Sequence, residues 1–535
     1  MKVHEVFADA LLQHGADVVF GLMGDANLSY LADYRDRGGR FVAAVHEGNA
    51  VGMADAWHRR SGRIGVASIT HGPALTNSMT SLVEAVRAGS RMVVVTGSTP
   101  LEPTHFQRLD LSASALASGA GFEVVTKAQN VVRHLNRALQ RTVAENRPIV
   151  LDLPIWMIDA DAGDQRMISP PQHASPQVPD PDSLDEALGL LSSTPRPVVL
   201  AGRGAYDAGA KDALIELAER IGGALATTLW ARDLFAGHPS NIGIYGNLAH
   251  SVASSAIGEA TCVIAFGASL NPLTTYRGEL TRGKKIIQVD TDPGRFGWFI
   301  GVDEPISGDA KAVAEAMNEA LTDAEHEPST GWISGIQAAL AAHDPHDDFR
   351  DISGVDTVDM RSASIVLDEL LPAQRTVVAD VGRYIRGTLP FLAVPEPRNF
   401  VGMGAFGSIG LGLAGAIGAA VAASGELTAL VVGDGGLMMN FAEFSTAVRE
   451  RLPLVVLTFD DGAYGAEWDK LVAGGSDPLY STMVWPDFAD LARAFGGQGL
   501  TVRTLSDLDG LPTLLEGLAG PLLVDIRLDP AAITV

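Results

Sequence analysis

A chain with one cysteine, Cys262, cannot close an intrachain disulfide, which sets aside the disulfide-stapled class and points to a cytoplasmic setting. Cys262 stands within Thr261-Cys262-Val263-Ile264-Ala265-Phe266, where it reads as a small buried hydrophobe. Basic residues are also in deficit: 39 Lys and Arg face 64 Asp and Glu, a formal net charge of −25. That balance argues against nucleic acid or an anionic membrane as a partner. A long apolar run is missing too. The charge-free stretch 399–424 is interrupted by Gly402, Gly404, Gly407, Gly410, Gly412, Gly415 and Gly418, so it reads as a glycine loop followed by a closely packed helix rather than a bilayer span. Glu5 and Asp9 sit inside the first apolar stretch, unlike a secretion signal, and no short internal repeat is present.

What is present fits a soluble globular enzyme: 47% hydrophobic and 19% charged residues, in 535 positions, more than one core usually organises. Strand-like segments at 17–21, 41–45, 65–70, 92–96 and 149–153 alternate with amphipathic ones, the pattern of a parallel sheet covered by helices on both faces. A proline-rich linker follows at 161–184, carrying Pro170, Pro171, Pro176, Pro179 and Pro181. A second α/β region has strands at 198–201, 224–228, 263–266 and 285–289. Its Gly202-Arg203-Gly204 reads as a plain strand-to-helix turn, and Asp290-Thr291-Asp292-Pro293 as an Asx-type turn. The polar stretch 322–355 reads as a second linker; its His343, His346, Asp344, Asp347 and Asp348 could suggest a metal, but Pro345 and the surrounding polarity favour a solvated loop. The third α/β region follows to the end.

The densest chemistry lies in that third region. Val431-Val432-Gly433-Asp434-Gly435-Gly436 closes an apolar run, 427–432, and opens a helix-like stretch, 438–449. A strand feeding a glycine turn presents backbone N–H groups to an anion, and a carboxylate at the strand end can hold a hard cation beside it. A second strand, 454–459, ends in Asp460-Asp461-Gly462-Ala463, so its acids emerge at the same carboxyl edge, where doubly wound sheets bind ligands. Asp-Gly is also an ordinary turn signature, and from the residues alone that reading stays open. In the first region Val45-His46-Glu47-Gly48 ends a strand and begins a helix over 49–59, which makes Glu47 either a helix-start charge or a catalytic acid.

These stretches resemble the thiamine-diphosphate enzyme superfamily of acetolactate synthase, pyruvate decarboxylase and benzoylformate decarboxylase. The segment from Gly433 to Gly465 is similar to the superfamily's cofactor motif, which begins GDG and ends in an Asn pair. The resemblance implies Asp434, Asp461 and the carbonyl of Ala463 as Mg²⁺ ligands, with Gly433, Gly435, Gly436 and Tyr464 about the cofactor. This chain carries Asp460 and Asp461 where Asn is usual, which adds negative charge beside a diphosphate. Asp380-Val381-Gly382-Arg383-Tyr384 matches the diphosphate loop, so Gly382, Arg383 and Tyr384 join the cofactor residues. Residues 404–410 resemble the stretch that bends the cofactor; there the Gly407 carbonyl would accept from the 4′-amino group and Ile409 would wedge between the rings. Glu47 matches the activating glutamate, which shares a proton with the far nitrogen of the aminopyrimidine.

On the substrate side, 21–28 looks like the pyruvate decarboxylase loop and makes Asp25 a proton relay, or an N-cap. Thr70 to Asn77 resembles a TSGPGATN loop with His71 in place of Ser, an acid or base near neutral pH or a helix cap. His105 to Asp110 is similar to an acetolactate synthase segment and brings in Gln107, whereas Glu467 stands where pyruvate decarboxylases have a second catalytic glutamate. One signal implies joining two carbonyl compounds, the other releasing an aldehyde.

The resemblance thus implies an α/β fold of three doubly wound parallel-sheet domains: pyrimidine-binding (1–165), middle (182–325) and diphosphate-binding (355–535). It implies a thiamine-diphosphate- and Mg²⁺-dependent enzyme acting on a 2-oxo acid through an enamine, with an acetolactate-synthase-like carboligation; the acceptor would be an aldehyde or a second oxo acid. Simple decarboxylation and a flavin-containing oxidase are the alternatives within the family, and a non-catalytic nucleotide-binding protein the one outside it. A homodimer or homotetramer is implied, because glutamate and diphosphate domain of one site come from different subunits. FAD is carried by some relatives and is indicated by no residue here.

Overall fold

The computed structural model describes residues 1–165 and 175–533, and its named strands form three six-stranded sheets. The first contains β1 (Val18–Gly21), β2 (Arg40–Ala43), β3 (Gly65–Ser68), β4 (Met92–Thr96), β5 (Gly121–Val124) and β6 (Ile149–Asp152), in the order β2-β1-β3-β4-β6-β5. The second contains β7 (Pro197–Ala201), β8 (Ala224–Thr227), β9 (Asn241–Ile244), β10 (Cys262–Phe266), β11 (Lys285–Asp290) and β12 (Glu304–Ser307), in the order β12-β11-β10-β7-β8-β9. The third contains β13 (Arg375–Ala379), β14 (Phe400–Gly402), β15 (Leu427–Gly433), β16 (Leu454–Asp460), β17 (Gln498–Val502) and β18 (Leu522–Arg527), in the order β14-β13-β15-β16-β18-β17. The sheets are parallel, as for β15 on β16, where Val431 faces Leu457 and Gly433 faces Phe459. Central strands are buried along their whole length, the requirement of a sheet covered on both faces.

This is the expected α/β architecture, with corrections in its details. Strands β5, β9, β12, β14, β17 and β18 escaped the sequence reading; several are short edge strands, such as β9 and β17, whose residues are only partly buried and so lack a continuous apolar run. The stretch expected as the first linker ends earlier than 184: Pro181 opens a helix, Pro181–Ser192, with Asp180 accepting from Ser183 N at its cap. Pro170 and Pro171 lie outside the described residues. Within the expected second linker, Gly331–Ala342 is a helix that buries Ile333 and Ile336, an apolar spacing obscured by the polar residues on either side. The helix-like stretch 438–449 is two short helices, Asp434–Met439 and Phe444–Arg449, broken where the Asn440 side chain donates to the Gly410 carbonyl. The turn at Asp290 is of Asx type as read, its carboxylate accepting from Asp292 N at 3.0 Å. Cys262 is buried, which pushes its thiol up to about 12.

The chain divides into two compact units, one holding the first and third sheets and the other, 175–352 with 386–400, holding the second. Within the first unit, one apolar core runs through both sheets and contains Met53, Ala54 and Trp57 beside Ala414, Ile417 and Val421. Its centre is the packing of the Glu47–Ser61 helix on the Gly412–Ala422 helix. A Cβ at Gly418 would lie 2.0 Å from the Met53 carbonyl oxygen, so backbone meets backbone there and only glycine fits. No described helix is long and apolar enough to cross a membrane. Gly418→Ala is expected to lower unfolding free energy by about 1–3 kcal/mol. Gly258→Ala, in a helix where a Cβ meets nothing within 4 Å, should be neutral or stabilising; urea titration of both variants checks the contrast.

Candidate active site

The carboxyl ends of β13, β15 and β16 bring three acidic segments together. Asp434 follows β15 and is 2% exposed; its Oδ2 accepts from Trp485 Nε1 at 2.8 Å. Burial, then the neighbouring carboxylates of Asp461 and Asp460, push its carboxyl up to about 8. Asp461 is likewise buried and raised by burial, against the opposing pull of the Arg383 guanidinium. Arg383 reaches it from the loop after β13, with Nε at 2.9 Å and Nη2 at 2.7 Å from Oδ2, while Oδ1 accepts from Ala463 N at 3.0 Å. Asp460 turns away to Arg527, 2.7 Å between Nη1 and Oδ2.

Around these acids the backbone is held close. A Cβ at Gly435 would lie 2.7 Å from the Tyr464 ring, and one at Gly436 would lie 3.1 Å from Asp380 Oδ2. Tyr384 stacks on Phe459 with ring centroids 6.0 Å apart and lies over Gly433; Gly382 precedes it. The donor set of buried carboxylates suits a hard divalent cation, and the burial and repulsion that together raise Asp434 are what such a cation would offset. The residues therefore fit Mg²⁺, and the glycine-lined turn fits a diphosphate approaching the backbone.

Asp380 was read only as the start of a loop, yet it organises the bend. Its Oδ2 accepts from Gly410 N and Gly412 N at 2.9 and 3.2 Å, and burial raises it to about 6. The 404–410 stretch is pinned at its other end by Glu84, a fully buried residue of the Met79–Arg87 helix: Oε1 accepts from Ala405 N at 2.9 Å and Oε2 from Phe406 N at 2.6 Å. Between these anchors Gly407 is exposed with φ +82° and Ile409 is half-buried.

Glu47 is the first residue of its helix, whose N-cap is His46, and Asn77 Nδ2 donates to its Oε2 at 3.0 Å. The turn before it is gripped by Glu443, which is buried between Phe441 and Phe444. Val45 N lies 3.1 Å from both oxygens of Glu443, and Asn49 Nδ2 donates to Oε2 at 2.7 Å. Glu84 and Glu443 were missed because they are ordinary-looking helix residues. The available signal was a glutamate occupying an apolar position of a helix, beside Leu82 and Ala85 or beside Phe441 and Phe444.

The substrate-side residues fall into two groups. His71 is buried, its Nε2 is 2.8 Å from Gln107 Oε1, and its Nδ1 has no hydrogen-bond partner among the described residues. It is not a helix cap; Gly72 stands there. Asp25 is exposed, and the N-cap of the following helix is Asn27, which corrects the capping alternative. Glu467, in the Gly465–Ala473 helix, is 58% exposed and paired with Lys470. In the other unit His250, His343 and Asp348 lie together, with the two rings stacked at 4.7 Å and His343 bonded to Asp348 at 3.0 Å. His250 Nδ1 accepts from Ala253 N at 3.3 Å and so caps its own helix.

Three parallel α/β sheets, with buried acids and a glycine-lined turn at one carboxyl edge, define an α/β protein of the doubly wound class, whose ligands bind along that edge. The chain matches the thiamine pyrophosphate enzyme N-terminal TPP binding domain over residues 1–115, the central domain over 184–317 and the C-terminal TPP binding domain over 380–526. It belongs to the thiamine pyrophosphate enzymes, and its cofactor is thiamine diphosphate. It is 28% identical to a probable acetolactate synthase large subunit of Methanocaldococcus jannaschii, over 99% of this chain and 92% of that one. It is also 28% identical to a sulfoacetaldehyde acetyltransferase of Alcaligenes xylosoxydans (95% and 89%) and to a probable 2-ketoarginine decarboxylase of Pseudomonas aeruginosa (97% and 92%).

Hydrogen–deuterium exchange tests the two glutamate anchors. In Glu84→Ala the amides of Ala405 and Phe406 should exchange about tenfold or more faster with Val45 unchanged, and in Glu443→Ala the pattern should reverse.

Proposed function

We propose that the chain makes or breaks a C–C bond beside the carbonyl of a 2-oxo acid, with thiamine diphosphate and Mg²⁺, and that its outcome is an acetolactate-synthase-like carboligation. The observation that carries the reading is the buried pair Asp434 and Asp461 at the ends of adjacent strands, whose repulsion a divalent cation relieves. Asp434, Asp461 and the Ala463 carbonyl are the groups that would hold Mg²⁺. Gly433, Gly435, Gly436, Gly382, Arg383, Tyr384 and Tyr464 surround the diphosphate end, in a diphosphate-binding domain of 355–535 that works with a pyrimidine-binding domain of 1–165; the middle domain is 182–325.

Thiamine diphosphate, when bound, supplies an acidic carbon able to attack a carbonyl and a ring able to accept the electron pair that CO₂ leaves behind. The chain's own residues bind, orient and move protons. Glu47 holds a proton at the far pyrimidine nitrogen, steadied by Asn77 and by the grip of Glu443 on the preceding turn. The Gly407 carbonyl would accept from the amino group and Ile409 would lie against the cofactor's rings. His71 gives or takes a proton at the substrate oxygen through Nδ1, the nitrogen that Gln107 leaves open, and Asp25 relays protons to solvent. The exposed Val45 and Phe106, at 45% and 89%, support a homodimer or homotetramer in which a second copy covers them. A cytoplasmic setting accords with the single buried cysteine.

A decarboxylase releasing an aldehyde is the second reading, favoured by Glu467 one turn after Tyr464 and by the relative named as a 2-ketoarginine decarboxylase. The two part on products. Incubation with a panel of 2-oxo acids, with and without an aldehyde or second oxo acid, should release CO₂ and give a joined product by mass. A free aldehyde alone would establish the second reading. Glu47→Gln is expected to lose about 10²–10⁴-fold in turnover; full turnover by that variant without added cofactor would sink the mechanism.

A further inference from the structure

Three buried acids converge at the carboxyl edge of β15 and β16, and each has a different partner. Asp460 has Arg527, a full charge; Asp434 has neutral donors, the Trp485 indole N–H and the Gly435 backbone; Asp461 has Arg383. The last pair is the one that a site with an amide at 461 would not need. We propose that Arg383 is the resident counter-ion of the cation site: it cancels the added charge of Asp461, so that two aspartates carry the net charge of one aspartate beside a neutral amide. This rests on the cation and diphosphate reading given above.

Geometry argues for that role over an incidental ion pair. Arg383 is 7% exposed, and burying a guanidinium is unfavourable unless its donors are satisfied. Nε and Nη2 both end on Oδ2 of the buried Asp461, and Nη2 also lies 3.3 Å from the Pro530 carbonyl. Nη1 reaches Asp469 at 2.7 Å, but that side chain is 35% exposed and so screened by solvent, leaving Asp461 as the charge the arginine chiefly answers. The other carboxylate oxygen of Asp461, Oδ1, accepts one hydrogen bond, from Ala463 N. An oxygen has room for a second partner, so Oδ1 keeps a lone pair for a hard cation while Oδ2 is committed to the arginine. Gly465 makes space for the stem: a Cβ there would sit 2.2 Å from Arg383 Nε and 2.6 Å from Cδ. The charge brought by Asp461 is thus answered by an arginine from another strand end and by a glycine that admits it.

The prediction has a sign. Removing the guanidinium leaves an uncancelled carboxylate, which attracts a metal ion and repels a diphosphate; removing the carboxylate leaves an uncancelled guanidinium, which repels the metal. Mn²⁺ binding to the protein freed of cofactor, followed by electron paramagnetic resonance, and thiamine diphosphate binding at saturating Mg²⁺, followed by tryptophan fluorescence, read these separately. Arg383→Gln should bind Mn²⁺ more tightly and thiamine diphosphate about tenfold or more weakly; Arg383→Gln with Asp461→Asn should return both to within about threefold of the parent. If Arg383→Gln does not fold, Asp461→Asn carries the test: its Mn²⁺ affinity falls about tenfold and is restored in the double variant. A double variant as weak for thiamine diphosphate as Arg383→Gln would overturn the proposal, since the arginine would then touch the diphosphate itself. Coupling confined to the melting temperature of the ligand-free protein would overturn it as well, leaving a structural ion pair. A parent chain that binds neither ligand would refute the cofactor reading itself, and this inference with it.

Discussion

Backbone meets backbone where the Glu47–Ser61 helix crosses the Gly412–Ala422 helix, and the arrangement of the larger unit follows from that contact. With glycine at 418 the Met53 carbonyl can approach to a distance no side chain would permit, and Gly52 sets its face against Ala414. Close approach brings the first and third sheets under one apolar core, and it brings the ends of both helices near the loops that matter chemically. Two buried glutamates then fasten the arrangement in opposite directions. Glu84, from the first region, holds the amides of the 404–410 loop, and Glu443, from the third, holds the turn that carries Glu47. A carboxylate taken out of water is stable only when its oxygens are satisfied, so each anchor also selects a single position for the loop it grips.

At the sheet edge the constraint is electrostatic. Parallel strands deliver their last residues to one place, and here those residues are acidic. Arg527 and Arg383 accept two of the resulting charges, while Asp434, with a neutral partner, is the carboxyl pushed up to about 8. Burial, and then the nearby carboxylates of Asp461 and Asp460, disfavour its anion, and neutral donors offset that only in part.

Much of this was legible from residue order. Glycine and aspartate at a strand end, repeated after the next strand, mark the carboxyl edge, and the chain's match to the thiamine pyrophosphate enzymes agrees with the motifs that suggested it. The charge-free 399–424 stretch holds a packed helix after its glycine loop, as its composition implies, but opens with the edge strand β14; glycine at so many positions spoils bilayer hydrophobicity while permitting close helix contact. What was illegible has a common cause. Short edge strands have one neighbour and little burial, the Gly331–Ala342 helix shows its apolar stripe only once its neighbours are known, and Asn440 breaks a helix by donating to a carbonyl 30 residues earlier.

Residue order by itself determined the α/β class and the family, since strand hydrophobicity, glycine turns and strand-end acids are local properties that survive without knowledge of partners. Tertiary structure alone decided which charges are answered: that Arg383 lies on Asp461, that Glu84 and Glu443 are anchors rather than surface acids, and that His71 has one ring nitrogen taken by Gln107. Burial and pairing depend on what the fold brings within a few ångströms, and a charge costs or stabilises according to that company rather than to its place in the chain.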